Sequence, residues 1–262
     1  MSIGVFDSGL GGLTILRALH ARLPHEDYFY FADTRYLPYG DRSETFLRER
    51  GVAIARAMAE RGVKALVIAC NTATAAAAEA IRHAVTLPVV AVEPAVKPAA
   101  ALTTSGQIAV LATTRTVESP RFQRLVVQHA GQAKVHAVAC PGLAQAIELY
   151  GPDSREVDAL LDRFVSPLAE LGVDVAVLGC THYPWVADRI AARLPAGARV
   201  LDTGEAVARQ LERLLHAHVL HGGGRGSIAI ATSGAPHLVG PTVDRLWGKV
   251  AAEYLPLMHW EP

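Results

Sequence analysis

Val67-Ile68-Ala69-Cys70-Asn71-Thr72-Ala73-Thr74 and Val177-Leu178-Gly179-Cys180-Thr181-His182-Tyr183-Pro184 are two versions of one phrase. In each, an apolar run reaches a small residue, then a cysteine, then polar residues that open a helical stretch. Short apolar runs alternate with amphipathic stretches along the chain, a pattern that predicts βα units and parallel sheets. Open sheets of this kind bind ligands beyond the carboxyl ends of their strands. Each cysteine therefore falls where a site is expected, and two thiols, one per half of the chain, point to one site attacked from two sides.

Working outward, strands are predicted over 3–6, 28–31, 66–69, 89–92, 108–111, 135–139, 175–178 and 228–231. Helices are predicted to begin near Gly12, Ser43, Thr74, Pro94, Pro120, Gly142, Arg155, Trp185 and Gly204. A weak internal repeat aligns Ile3-Gly4-Val5-Phe6-Asp7-Ser8-Gly9 with Ile108-Ala109-Val110-Leu111-Ala112-Thr113-Thr114, and the two cysteine segments follow at comparable distances. The expectation is an α/β fold of two pseudo-symmetric domains. Each has a central, mostly parallel sheet flanked by helices, with the active site in the interdomain cleft. The first domain takes 1–96 plus 203–262 and the second 97–202. Gly222-Gly223-Gly224 reads as a flexible loop before the last predicted strand.

Composition narrows the class. The 262 residues are 51% hydrophobic and 19% charged, which describes a globular chain and excludes disorder. Lys plus Arg balance Asp plus Glu at 25 each, so no electrostatic case exists for nucleic acid or a membrane surface. Three cysteines make a poor disulfide framework and suggest a reducing cytoplasm. No metal-binding cysteine spacing, signal peptide or membrane-length apolar run is expected. Lys64, Lys97, Lys134 and Lys249 stand in no evident Schiff-base context.

The motifs admit plain and functional readings. Asp7-Ser8-Gly9-Leu10-Gly11-Gly12-Leu13-Thr14 resembles a dinucleotide fingerprint, with Asp33 as a ribose ligand, but fails at its third glycine position, Thr14. Asp7 is either a helix cap or a base beside a site. Cys70 and Cys180 are either small buried hydrophobes or thiols placed at helix starts, where free backbone N–H groups favour a thiolate. Asn71, Thr72, Thr181 and His182 follow them with groups able to bind a carboxylate. His182 can assist a thiol or simply cap a helix. Cys140, before Pro141-Gly142, reads as a buried residue near a turn. Pro38-Tyr39-Gly40 reads as a loop leading to an N-cap at Ser43, or as a cover over the site. Thr113 and Thr116 are ordinary caps or anion ligands. Glu148 reads as a solvated helix residue.

Taken together, Asp7-Ser8-Gly9-x-Gly11-Gly12, Pro38-Tyr39-Gly40, Ala69-Cys70-Asn71-Thr72-Ala73, Glu93-Pro94, Cys140-Pro141 and Gly179-Cys180-Thr181-His182-Tyr183-Pro184 resemble the glutamate racemases of the aspartate/glutamate racemase superfamily. The resemblance runs from Ile3 to about Thr203. Ala112-Thr113 departs from the usual Gly-Thr. The resemblance implies a cofactor-independent isomerase, with no metal, that supplies D-glutamate for peptidoglycan, commonly as a cytoplasmic homodimer. It also implies that Cys70 and Cys180 are the catalytic bases, assisted by Asp7 and His182. Ser8, Pro38, Tyr39, Gly40, Asn71, Thr72, Thr113, Thr116 and Thr181 would contact or surround glutamate, and Glu148 would match an active-site carboxylate.

Inversion at an α-carbon explains the need for two thiols, because a proton leaves one face and another arrives on the opposite face. A free thiol has a pKa of about 8.5, so each needs help to ionise at neutral pH. Three alternatives stay open from the residues alone. They are a related racemase acting on aspartate or another small acid, a non-catalytic metabolite-binding protein of the same fold, and a thiol redox protein.

Overall fold

The computed structural model describes residues 1–247 and 255–262, so Lys249 lies outside the described residues. The chain divides into two compact units, Met1–Val92 with Gly204–Pro262, and Glu93–Thr203. The first unit opens with β1 (Ile3–Asp7), α1 (Leu13–Arg22), β2 (Tyr28–Ala32), α2 (Glu44–Glu60), β3 (Ala65–Ile68), α3 (Asn71–Ala84) and β4 (Val89–Ala91). The second unit then runs through α4 (Val96–Leu102), β5 (Gln107–Ala112), α5 (Thr114–Glu118), α6 (Pro120–His129), β6 (Lys134–Ala139) and α7 (Leu143–Tyr150). It continues with α8 (Arg155–Phe164), α9 (Pro167–Glu170), β7 (Val175–Gly179), α10 (Ala187–Ala191) and β8 (Arg199–Leu201). The chain returns to the first unit as α11 (Gly204–Ala217), β9 (Ile228–Thr232), α12 (Pro236–Trp247) and β10 (Leu255–His259).

Both sheets are parallel. The first has the order β10-β9-β2-β1-β3-β4 and the second β6-β5-β7-β8. Every residue of β1, β2, β3 and β7 is buried, as their continuous apolar runs require when helices cover both faces of a sheet. The internal repeat has a structural cause. Ile3 pairs with Ala65 and Ile108 pairs with Val175, and each cysteine lies five residues beyond that partner. The segment β2-β1-β3-β4 thus repeats as β6-β5-β7-β8 in nearly the same register.

Helix α3 begins at Asn71 rather than Thr74, because Cys70 itself takes the N-cap. Its alanines favour helix intrinsically, and they let α2 come close. A Cβ placed on Gly51 would stand 2.9 Å from that of Ala77. The oxygen of Ser43 accepts from the Phe46 N–H at 3.2 Å, as its N-cap reading requires.

Five elements escape sequence reading. Strand β8 has three residues and starts at an exposed Arg199, while β10 is an edge strand joined through an irregular register. Helices α5 and α9 are too short for a helical period to register. Helix α12 holds Pro241 in its interior, which reads as a breaker.

The glycine-rich loop is pinned where flexibility was expected. Lys64 and Glu26, both buried, form an ion pair at 2.5 Å. Lys64 Nζ donates to the Gly222 carbonyl at 3.0 Å, and the Gly222 N–H donates to Glu26 Oε1 at 2.6 Å. Asp27 Oδ1 accepts from the backbone N–H groups of Arg225 and Ser227. No described helix is long and apolar enough to cross a membrane.

Removing one partner of a buried pair strands the other's charge. Lys64→Met should lower unfolding free energy in urea by about 3–5 kcal/mol. Adding Glu26→Gln, which keeps an acceptor for Gly222, should recover much of that loss.

Candidate active site

Strand order reverses direction beside β1. The connection from β1 leads to β2 on one side, and that from β3 leads to β4 on the other. A crevice opens at the carboxyl ends of such strands, and the residues there are Asp7 and Ser8 after β1 and Cys70 after β3. Cys70 has extended backbone, φ −95° and ψ 121°, immediately before α3. Its sulfur therefore swings back over the helix start and accepts from the Ala73 N–H at 3.4 Å. An amide hydrogen and the positive end of α3 both favour a thiolate at this position.

A chain of contacts leads from this sulfur into the protein. Cys70 Sγ lies 3.6 Å from Ser8 Oγ, whose hydroxyl donates to Asp7 Oδ1 at 3.4 Å. Asp7 is fully buried, and its Oδ2 accepts from the Gly12 N–H at 2.7 Å. The carboxylate thus holds the N–H of the residue that precedes α1 and is linked through Ser8 to Cys70. It also takes the amide that a nucleotide phosphate would use, and Asp33 is engaged by Arg50 and Tyr39. The dinucleotide reading loses both of its contacts. Glycine is required at residue 12, since a Cβ there would stand 2.7 Å from Asp7 Cβ and 2.9 Å from the Tyr30 hydroxyl.

Pro38, Tyr39 and Gly40 follow β2. The Leu37–Pro38 peptide is cis, and Tyr39–Asp41 form one 3-10 turn. Tyr39 is buried in the same core cluster as Cys70. Burial, and then Asp33, hold its hydroxyl protonated well above the usual tyrosine range. Asn71 and Thr72 form the first turn of α3 and are buried. Asn71 Nδ2 and Thr74 Oγ1 have no hydrogen-bond partner among the described residues. A buried donor without a partner is expensive unless a ligand satisfies it. Thr74 was absent from the sequence-based candidates because a threonine inside an alanine-rich helix carries no distinguishing signal.

The second unit repeats the geometry. Thr113 follows β5 and caps α5, with Oγ1 accepting from the Thr116 N–H at 3.3 Å and lying 2.9 Å from Thr116 Oγ1. Ala112 pairs with Gly179 across the sheet. A Cβ on Gly179 would stand 3.0 Å from that of Ala112, so Gly179 leaves room for the Ala112 side chain. Cys180 follows β7, and Thr181 and His182 come next, all three buried.

The proton partner here is a different one. Cys180 Sγ lies 3.7 Å from His182 Nδ1, and His182 Nε2 lies 2.5 Å from Glu148 Oε1. Glu148 is buried on α7, which corrects its reading as a solvated residue. Helical spacing alone could not reveal that its partner follows a strand 34 residues later. Burial opposes charge on His182, but the hydrogen bonds to Cys180 and Glu148 outweigh it and hold the imidazole protonated well above its ordinary range. The Tyr183 hydroxyl donates to the Cys140 carbonyl at 3.4 Å. Burial, and secondarily Cys180, push the Cys140 thiol up to about 12. Cys140 is therefore a neutral buried thiol, as its plain reading held. All three cysteines are free.

Each unit thus presents a buried cysteine just past a central strand of a parallel sheet, linked to a buried carboxylate or histidine, which is the arrangement of an α/β protein with one cysteine site per unit. The Asp/Glu/Hydantoin racemase family model matches residues 13–211, and the chain belongs to that family. Among its relatives are the glutamate racemases of Pseudomonas aeruginosa strain PAO1, 48% identical over 252 residues covering 94% of each chain, and of Stutzerimonas stutzeri, 43% identical over 256 residues covering 97% of each. A solved Escherichia coli glutamate racemase, in complex with L-glutamate and the activator UDP-MurNAc-ala, matches with TM-score 0.85 and 30% identity, over 98% of this chain and 97% of that one. An aspartate racemase homologue from Pyrococcus horikoshii, 15% identical with TM-score 0.52 over 82% of this chain and 99% of its own, shares the fold alone. The family expected from the motifs is the family found, and the enzyme is an amino-acid racemase, an isomerase.

Two outcomes test this geometry. The upward shift of His182 means that its hydrogen bonds to Cys180 and Glu148 stabilise the fold fully below the unfolded histidine pKa of about 6.5. That stabilisation is lost as pH rises through the raised value. Glu148→Gln should flatten that part of the stability–pH profile and move the His182 imidazole titration to lower pH in nitrogen NMR. Gly12→Ala should cost about 1–3 kcal/mol in chemical denaturation through overpacking against Asp7.

Proposed function

We propose that the protein interconverts L- and D-glutamate by two-thiol α-proton transfer, with Cys70 and Cys180 acting on opposite faces of one substrate. The observation that carries this reading is the equal placement of the two cysteines, each five residues past the strand partner of Ile3 or Ile108. A fold that repeats one strand–thiol–helix junction supplies two bases of the same kind.

In one direction Cys70 starts as thiolate and removes the α-proton, while Cys180 delivers a proton from its thiol. In the other direction the roles exchange. Ser8 and Asp7 relay protons for Cys70, and His182, steadied by Glu148, does so for Cys180. Asn71, Thr72, Thr113, Thr116 and Thr181 hold the substrate carboxylates and ammonium. Oriented amides at the helix starts stabilise charge developing on the α-carbon. Chemistry of this kind uses the chain's own side chains and calls for no cofactor. The 48% identity to a glutamate racemase over 94% of the chain favours glutamate over aspartate. The reading extends to a cytoplasmic homodimer that feeds D-glutamate to peptidoglycan synthesis.

Incubation with L-glutamate in D₂O should yield D-glutamate carrying α-deuterium. Cys70→Ala and Cys180→Ala should each lower turnover by about 10²–10⁴-fold, the range for loss of a positioned base. Exchange without inversion in wild type would contradict the two-base reading. The absence of both exchange and inversion would reject glutamate as substrate.

A further inference from the structure

Asp33, Arg50 and Tyr39 form a buried ionic cluster that the route from Cys70 through Ser8 to Asp7 does not use. Asp33 follows β2, and its N–H donates to the Asp7 carbonyl at 2.9 Å, so the two acidic residues end neighbouring strands side by side. The Asp33 carboxylate is fully buried. It accepts from the Tyr39 hydroxyl at 2.5 Å, from Arg50 Nε at 2.9 Å and from Arg50 Nη2 at 2.7 Å. Tyr39 packs in one cluster with Cys70, and its hydroxyl lies within electrostatic reach of Asp33, Cys70 and Arg50.

Arg50 is held from its other side by the end of the described chain. Its guanidinium stacks over the Tyr36 ring at 4.5 Å, donates to the Pro262 carbonyl at 3.3 Å and lies 3.5 Å from Glu261. Glu261 also accepts from the Tyr36 hydroxyl at 3.4 Å. Trp260 seats this segment by packing edge-on against Phe29 and Phe31, and its N–H donates to the Thr232 carbonyl at 2.9 Å.

A thiol becomes harder to ionise as its surroundings become more negative. Asp7 is already linked to Cys70 through Ser8, and an unpaired Asp33 would add a second negative charge. We propose that Arg50, anchored by residues 260–262, is a positioning residue for the Cys70 half-site: it neutralises Asp33, fixes Tyr39 beside Cys70 and keeps that thiol able to ionise. The charged and titratable groups involved are Asp7 from the end of β1, Asp33 and Tyr39 after β2, Arg50 from α2, and Glu261 behind Arg50. The inference rests on Cys70 being a reacting thiol, but its test needs no turnover.

The test is a thiolate ultraviolet titration in a Cys140→Ser, Cys180→Ser background, where Cys70 is the one remaining thiol of the chain's three. Arg50→Gln should reduce the thiolate fraction at neutral pH by about threefold or more, as expected for loss of one nearby positive charge. Asp33→Asn should raise it by a similar factor, and Arg50→Lys should fall between Arg50→Gln and the parent. In a Cys70→Ser, Cys140→Ser background the Cys180 titration should not move. A purely structural cluster would shift Arg50→Gln and Asp33→Asn in the same direction, and that result overturns the proposal, as does an unmoved midpoint in Arg50→Gln. Should Arg50→Gln not fold, Glu261→Gln at a partly exposed position replaces it. It should raise the thiolate fraction, and no shift in both Glu261→Gln and Arg50→Lys overturns the proposal equally. A failed racemase reading would instead appear as absent isotope exchange in wild type.

Discussion

Parallel pairing of a central strand with two neighbours whose connections diverge is the constraint from which the rest follows. Pairing of β1 with β3, and of β5 with β7, fixes which residues emerge together at the carboxyl end of each sheet. Because side-chain direction alternates along a strand, a shift of one residue would turn the whole set to the other face. The buried apolar residues on both faces of β1, β3 and β7 hold that register. The thiols occupy the one stretch of backbone that leaves the sheet and has not yet entered a helix. There, amides are free to face a sulfur or a bound carboxylate.

The two half-sites share geometry and differ in proton chemistry. Around Cys70 the partners are a hydroxyl and a carboxylate, with an arginine–carboxylate pair behind Tyr39. Around Cys180 they are an imidazole and a carboxylate, with a neutral carbonyl behind Tyr183. The position of Asp7 on β1 is occupied on β5 by Ala112, and the carboxylate near the second thiol stands on a helix instead. Glu148 on α7 is linked to Cys180 through His182. A repeated scaffold thus carries two different sets of partners around its two buried cysteines.

Much of this was legible in the residues. Alternating apolar runs marked eight of the ten strands among the described residues, because strands buried on both faces must be continuously apolar. The paired cysteine phrases marked both strand–cysteine junctions, since such a junction is local and written in consecutive residues. Asp7, Ser8, Asn71, Thr72, Thr181 and His182 were singled out for the same reason, and all six are buried. Thr113 and Thr116 came from the weaker repeat of the β1 turn. Short or edge elements such as β8 and β10 carried too few residues for a period, and Pro241 disguised α12.

By itself, then, the sequence determined the α/β class, the two thiols and the local groups beside them, because those depend on periodicity and on neighbours within a few residues. Tertiary structure alone decided that Glu148 is buried against His182, that Asp33 is taken by Arg50 and Tyr39, that Lys64 and Glu26 pin a glycine loop, and that residues 260–262 return to Arg50. Each of these joins residues far apart in the chain. A charged side chain on a helix or in a loop reads alike whether it meets water or a buried partner, and only the folded packing that excludes water makes that choice.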